Sequence, residues 1–216
     1  MSPSGPFVVG IAGGSGSGKS TLVRAISGTL GAARVSALCY DAYYRDRGDL
    51  PAAERAALNY DAPDALDTEL FLTDLTALRA GQPARPPRYC FSTHRRIGVD
   101  DAVEPRPIVL VEGILLLHDA RTRALLDLSI FLDVPDAARL SRRMARDVSE
   151  RGRTRRSVLS QYEATVRGAH AAWVEPTKPL ADLVLLNVGR LDRLAEVAAA
   201  VVQQRLAQRA PWVAAA

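Results

Sequence analysis

The sequence predicts an α/β protein built on a five-stranded parallel sheet with helices on both faces. Five runs of strand length are apolar throughout, as strands covered on both sides must be, and helical segments separate them. Between the first run and the first helix lies GGSGSGKST, residues 13–21, which satisfies G-x-x-x-x-G-K-[S/T] at the junction where a P-loop NTPase-type sheet places it.

Each element follows in order. FVVGIA (Phe7–Ala12) is the first strand, and residues 20–30 have helical apolar spacing that stops at Gly31. VSALC (Val35–Cys39) reads as the second strand. Residues 67–81, DTELFLTDLTALRAG, open on an Asp or Thr cap and close on glycine, which predicts a helix. PARPPRYCFSTHRR is proline-rich and then aromatic, so an excursion from the core is expected, a flap over about residues 83–106. Residues 107–117, 128–134 and 183–188 read as the remaining buried strands, and helices are expected near 135–149, 157–166 and 191–208. No repeat or Gly/Ser-rich linker interrupts the series, so residues 1–216 are expected to form a single domain.

Composition narrows the class. A chain of 216 residues with 48% hydrophobic and 24% charged residues buries one substantial core and is short for two. Residues 1–6 are too few and too polar for a signal peptide, and no apolar run approaches the roughly 20 residues that cross a bilayer. A cytoplasmic protein without a membrane partner is expected. Cys39 and Cys90 lack metal-ligand spacing and suit a compartment where both stay thiols. The net charge of +4 fits either nucleic acid or a pocket for a polyanionic small molecule. Of 28 basic residues only Lys19 and Lys178 are lysine, which singles out position 19.

Ligands of such sheets sit outside the carboxyl ends of the strands. Residues 13–19, Asp41, Glu112 and the loop after residue 188 all lie just past strand ends, so they converge on one site. Gly13, Gly14, Gly16 and Gly18, with Ser15, Ser17 and Thr21 among them, let backbone N–H groups wrap a phosphate at a helix N-terminus. Lys19 would reach the β- and γ-phosphates, and the Ser20 hydroxyl would ligate Mg2+. The plain alternative is a glycine-rich connection, but chance yields this pattern in on the order of one such chain in a hundred. Glu112 ends IVLVEG, where a second acid near the metal belongs; otherwise it merely begins a turn. No N-K-x-D base-reading motif of a GTPase switch is present. A kinase needs an acceptor pocket and a proton acceptor, and YDAYYRD, residues 40–46, offers Asp41 among three tyrosines. A lone Asp in such a loop is by default an Asx-type cap.

The ordered series GIAGGSGSGKST, YDAYYRD, NYDAPDALD, RYCFSTHRR, VEGIL, IFLDV, RLSRRMARDVSERGR, SQYEATVRGAH and EPTKPLAD resembles the uridine-cytidine kinases from Val9 to about Val188. The resemblance implies transfer of the γ-phosphate of ATP or GTP to the 5′-hydroxyl of uridine or cytidine. By it, Asp41 matches the carboxylate that accepts the hydroxyl proton and helps order Mg2+, and Tyr44 flanks the acceptor. Asp61 matches the acid on the ribose hydroxyls, although Ala62 stands where the family commonly has histidine. Tyr89, Phe91 and His94 match the base pocket. Arg143, Arg153 and Gln161 match residues that approach the nucleoside, whereas Arg146 and Arg151 face phosphate from an Arg-rich lid at about residues 146–157. A homo-oligomer, a tetramer, is also implied.

Several residues keep plainer expectations. Asp64 and Asp67 read as caps, His118 and His170 as surface or core residues, Arg155 and Arg156 as solvated. Cys90 is expected to face away from the pocket, and Tyr40 and Tyr43 have no role beyond packing. Lys178 has no readable role, and the loop NVGRLD receives no donor-base contacts. Two other functions compete: a P-loop kinase of another small alcohol, and a non-catalytic nucleotide- or nucleic-acid-binding protein using the arginine stripe from Arg139 to Arg156.

Overall fold

A computed structural model describes residues 5–209. The chain runs β1 (Phe7–Ala12), α1 (Lys19–Leu30), β2 (Val35–Cys39), α2 (Ala52–Ala57), α3 (Thr68–Arg79), β3 (Pro87–Cys90), β4 (Arg95–Val99), β5 (Ile108–Gly113), α4 (Ala120–Ala124), β6 (Leu128–Asp133), α5 (Asp136–Glu150), α6 (Arg155–Gln161), α7 (Arg167–Ala169), β7 (Leu183–Leu186) and α8 (Leu191–Ala207). Five strands form one parallel sheet in the order β2-β5-β1-β6-β7. β2 takes one edge, β5 fills the place between it and β1, and the chain then crosses to the other side of β1, so the carboxyl end of β1 is the crevice where ligands of such sheets bind.

The pleat of β1 divides the core. Phe7, Val9 and Ile11 pack with Leu22, Ile26, Ala195 and Ala198, from α1 and α8, on one face. Val8 and Ala12 pack with Phe71, Leu75, Val111 and Leu116 on the other. Alternate side chains of one strand thus hold helices against both faces, which is why all six of its residues are buried.

Three expectations are corrected. The run expected to continue as strand to residue 117 leaves the sheet after Gly113, because the Ile114 N–H donates to Asp41 Oδ1 at 3.2 Å. A Cβ at Gly113 would lie 2.7 Å from Tyr40 Cβ, so only glycine admits that approach. The last strand spans residues 183–186, not 183–188, and it is an edge: Val184 and Leu186 are 43% and 56% exposed while Leu185 is buried. The helix expected at 157–166 starts earlier. Thr154 Oγ1 accepts from the Ser157 N–H at 3.1 Å, and the helical path continues through two π-turns, Tyr162–Val166 and His170–Val174.

The flap is the antiparallel hairpin β3–β4. Helices α2 and α4 were not expected; with six and five residues, they are too short for a periodic apolar stripe to register. Among the described residues, no helix is long and apolar enough to cross a membrane. The reading of residues 1–6 as lacking a leader falls largely on residues 1–4, outside the described ones.

Candidate active site

The loop from Gly13 to Gly18 turns the end of β1 into α1. Gly13, Gly16 and Gly18 have φ of 140°, 80° and 98°, which L side chains rarely adopt. At Gly16 a Cβ would also overlap the Arg139 carbonyl, because the start of α5 packs against the loop. Lys19 is buried and its Nζ reaches back over the loop to the Gly14 carbonyl at 3.3 Å. The Ser17 carbonyl accepts from Asn187 Nδ2 at 2.9 Å and from Arg142 Nη1 at 3.3 Å, which ties the loop to the end of β7 and to α5. Gly13, Gly14, Ser15, Gly16, Ser17 and Gly18 thus form the turn between β1 and α1, with Lys19, Ser20 and Thr21 opening the helix behind it.

At the carboxyl end of β5, Glu112 Oε1 accepts from Ser20 Oγ at 2.6 Å and from Cys39 Sγ at 3.6 Å. Burial pushes the Glu112 carboxyl above its usual pKa, while neighbouring Lys19 opposes the rise and Asp41 adds to it. Such a carboxylate, beside a hydroxyl and a second acid, is a hard oxygen set, and it fits Mg2+. No cluster of three or more His, Cys, Asp or Glu suited to a metal occurs among the described residues. Mg2+ takes one or two carboxylates and leaves its other positions to phosphate and water.

Asp41 lies on the 3-10 turn Tyr40–Tyr43 just past β2, where its Oδ1 takes the Ile114 N–H. Its neighbours anchor that turn. Tyr40 stacks on Phe71 with centroids 4.0 Å apart, and the buried Tyr43 hydroxyl donates to Asp74 Oδ2 at 2.7 Å. Both tyrosines pack in the core as expected, on either side of Asp41 in the chain.

One cleft gathers Ser15, Asp41, Asp61 and Ile114, and its aromatic wall is Tyr44, Tyr60, Tyr89 and Phe91. Tyr44 meets Tyr60 edge-on at 5.5 Å, and Tyr60 lies parallel to His94 with centroids 4.2 Å apart. Asp61 is buried, which raises its pKa; Arg143, with Nη1 at 3.7 Å from Oδ1, opposes the rise. His94 has its pKa lowered to about 4 by burial and then by Arg153.

Arginines close the cleft. Arg143, Arg146, Arg151 and Arg153 all line it, and all four pair with Asp147, whose side chain is wholly buried behind them. The contacts run from 2.8 Å for Arg146 to 3.7 Å for Arg153. One carboxylate thus holds four like charges in register. Arg143 also donates to Ser15 Oγ at 2.9 Å, which links the phosphate loop to Asp61. The Arg151 guanidinium lies 4.4 Å over the Phe91 ring, so the lid rests on the flap.

The twelve cleft residues singled out from sequence outside the phosphate loop helix, Asp41, Tyr44, Asp61, Tyr89, Phe91, His94, Arg143, Arg146, Arg151, Arg153, Gln161 and the loop's Ser15, line one cavity. Sequence reasoning missed Tyr60, although it adjoins Asp61, and it gave Asp147 no place in the site. Asp147 stands four residues from both Arg143 and Arg151, a spacing that signals contact on a helix. Asp67 caps α3 by accepting from the Leu70 N–H, and Lys178 pairs with Asp133 at 2.6 Å. His170 is partly buried against Glu175 at 3.3 Å, and His118 is exposed.

The Phosphoribulokinase / Uridine kinase family matches this chain over residues 8–193. The uridine kinase of Chloroflexus aggregans is 44% identical over 185 residues, which cover 86% of this chain and 88% of that protein. The uridine kinase of Leuconostoc citreum is 42% identical over 205 residues, 92% of this chain and 98% of that protein. Among solved structures, phosphoribulokinase from Rhodobacter spheroides shares the fold with a TM-score of 0.61 at 16% identity, over 88% of this chain and 75% of that one.

Proposed function

The chain belongs to the phosphoribulokinase and uridine kinase family, and we propose that within it the protein transfers the γ-phosphoryl group of ATP or GTP to the 5′-hydroxyl of uridine and cytidine. The observation that carries this reading is the single cleft in which a phosphate loop, a loop carboxylate and an aromatic wall meet.

In this reading the backbone N–H groups of the loop and Lys19 hold the donor's β- and γ-phosphates. Arg146 and Arg151 stabilise charge on the transferring group from the lid side. Asp61 offers two acceptor oxygens to the paired ribose hydroxyls, and the flat base lies among Tyr44, Tyr89 and Phe91 with His94 on its polar edge. Arg143, Arg153 and Gln161 close over the nucleoside. Asp41 then accepts the 5′-hydroxyl proton as the oxygen attacks, a contribution of about 10² to 10⁴ in rate. Ser20, Glu112 and Asp41 would hold Mg2+, which when bound spreads the charge of the phosphates. We place the protein in the cytoplasm as a homo-oligomer, a tetramer, with a nucleoside rather than nucleic acid as its partner.

A panel of nucleosides and other alcohols, with ATP and GTP as donors, tests the reading through acceptor-dependent ADP or GDP formation. Turnover with uridine or cytidine is expected. Turnover with another small alcohol alone would leave a kinase of different substrate. Salt-sensitive RNA binding without turnover would reject the kinase.

A further inference from the structure

We propose that Cys39 is a positioning residue for the metal site: its thiol donates to one oxygen of Glu112 and so holds that carboxylate in the orientation that binds Mg2+. The inference rests on the kinase reading and deepens it by assigning a residue behind the metal's ligands.

Cys39 is the last residue of β2 and stands in register with Glu112 on β5, so the pleat turns both side chains to the same face of the sheet. There Sγ lies 3.6 Å from Glu112 Oε1. An ionised carboxylate only accepts, so the thiol is the donor. The same oxygen takes the Ser20 hydroxyl at 2.6 Å, whereas among the described residues no hydrogen bond or ion pair reaches Oε2. One oxygen of Glu112 is held by two donors and the other is left to bind. The sulfur is not itself a ligand for this ion, because Mg2+ takes hard oxygen donors and leaves sulfur to softer metals.

The contact is one half of a cross-brace. Cys39, at the end of β2, donates to the acid that β5 carries. Ile114, just past β5, donates its N–H to Asp41, the acid just past β2, at 3.2 Å. Two neighbouring strands are thus tied in both directions where their acids would share a metal. The Ile114 half is backbone and survives side-chain substitution. The Cys39 half depends on one proton of one side chain.

Partners that orient a metal's ligands cost about 10- to 100-fold in metal affinity or activity when removed. A thiol is a weak donor, which puts Cys39 at the lower end of that range. Because it acts through Glu112, its loss should weaken metal binding and spare the rate once metal saturates.

The test separates the donor from the packing of the sulfur. Cys39→Ala removes the proton, Cys39→Ser keeps a hydroxyl proton at the same place, and both remove the sulfur. Mn2+ is titrated into each protein with ADP and followed by EPR, and the Mg2+ dependence of turnover with uridine is measured beside it. The S–H stretch of the metal-free wild type is read by infrared difference against Cys39→Ala. We expect Cys39→Ala to weaken Mn2+ binding and to raise the Mg2+ for half-maximal turnover by about 10-fold, with Cys39→Ser within about 3-fold of wild type. We also expect the rate of Cys39→Ala to recover at saturating Mg2+, and the stretch to fall at a hydrogen-bonded frequency. Wild-type metal affinity in Cys39→Ala, equal weakening in both variants, or the stretch of a free thiol would each overturn the proposal. Absence of turnover with every nucleoside would overturn the kinase reading, while the Mn2+ titrations and the thiol stretch still decide the role of Cys39.

Discussion

Ser20 Oγ donates to Glu112 Oε1 at 2.6 Å, joining the first turn of the phosphate-binding helix to the end of the strand beside it. Two residues far apart in sequence thereby present one oxygen cluster where the donor's phosphates would lie. Glu112→Gln keeps the shape but removes the charge. Its expected effect is an increase of about 10-fold or more in the Mg2+ concentration for half-maximal activity, and EDTA is expected to abolish turnover in both proteins. An unchanged Mg2+ dependence would remove Glu112 from the metal site.

Asp41→Asn tests the base. The amide retains an oxygen able to accept the Ile114 N–H, so the turn should survive. Uridine affinity by calorimetry is expected within a few-fold of wild type, and kcat lower by about 10² to 10⁴. Near-normal kcat would end the role assigned to Asp41.

Asp147 has no exposed side-chain surface and pairs with four arginines. Its replacement leaves the buried Arg143 and three half-buried arginines without their anion, so Asp147→Asn is expected to destabilise the fold by about 3 kcal/mol. Urea denaturation of the two proteins measures this. A loss under 1 kcal/mol would mean that the arginines find other partners or that water reaches the site.

The sheet was legible because a strand covered on both faces is written as an unbroken apolar run, and the phosphate loop because its turn demands glycine. The same rule misled at both later ends. β7 is as apolar as a buried strand yet stands at the edge, and the apolar residues after Gly113 continue a run that the backbone has already left. What stops the strand is a hydrogen bond to Asp41, 73 residues away, and no local periodicity encodes it. Asp147 was visible as a helical neighbour of Arg143, but its complete burial depends on how the lid loop folds back. Tyr60 escaped because its role lies in a ring contact with His94 on the distant flap.

His94 also predicts a pH dependence. Its folded-state pKa of about 4 lies below the ordinary 6.5, so between those values the unfolded chain binds a proton that the folded one refuses. The stability from this group is whole above about pH 6.5 and is lost as pH falls towards 4. His170, depressed by its own burial, shifts stability in the same sense, so the contribution of His94 is a difference between proteins. His94→Gln is expected to lose less stability than wild type between pH 7 and pH 5, read from urea unfolding at each pH. Equal losses would contradict a neutral, buried His94.

The most direct test of the central claim is the product itself. The protein is incubated with Mg2+, ATP and either uridine or 5′-deoxyuridine, and the reaction is followed by 31P NMR. The expected result is stoichiometric ADP and uridine 5′-monophosphate from uridine, with no phosphorylated product from the analogue that lacks the 5′-hydroxyl. Phosphorylation of 5′-deoxyuridine at another position, or ADP release that ignores the nucleoside, would contradict an Asp41-centred transfer to the 5′-hydroxyl.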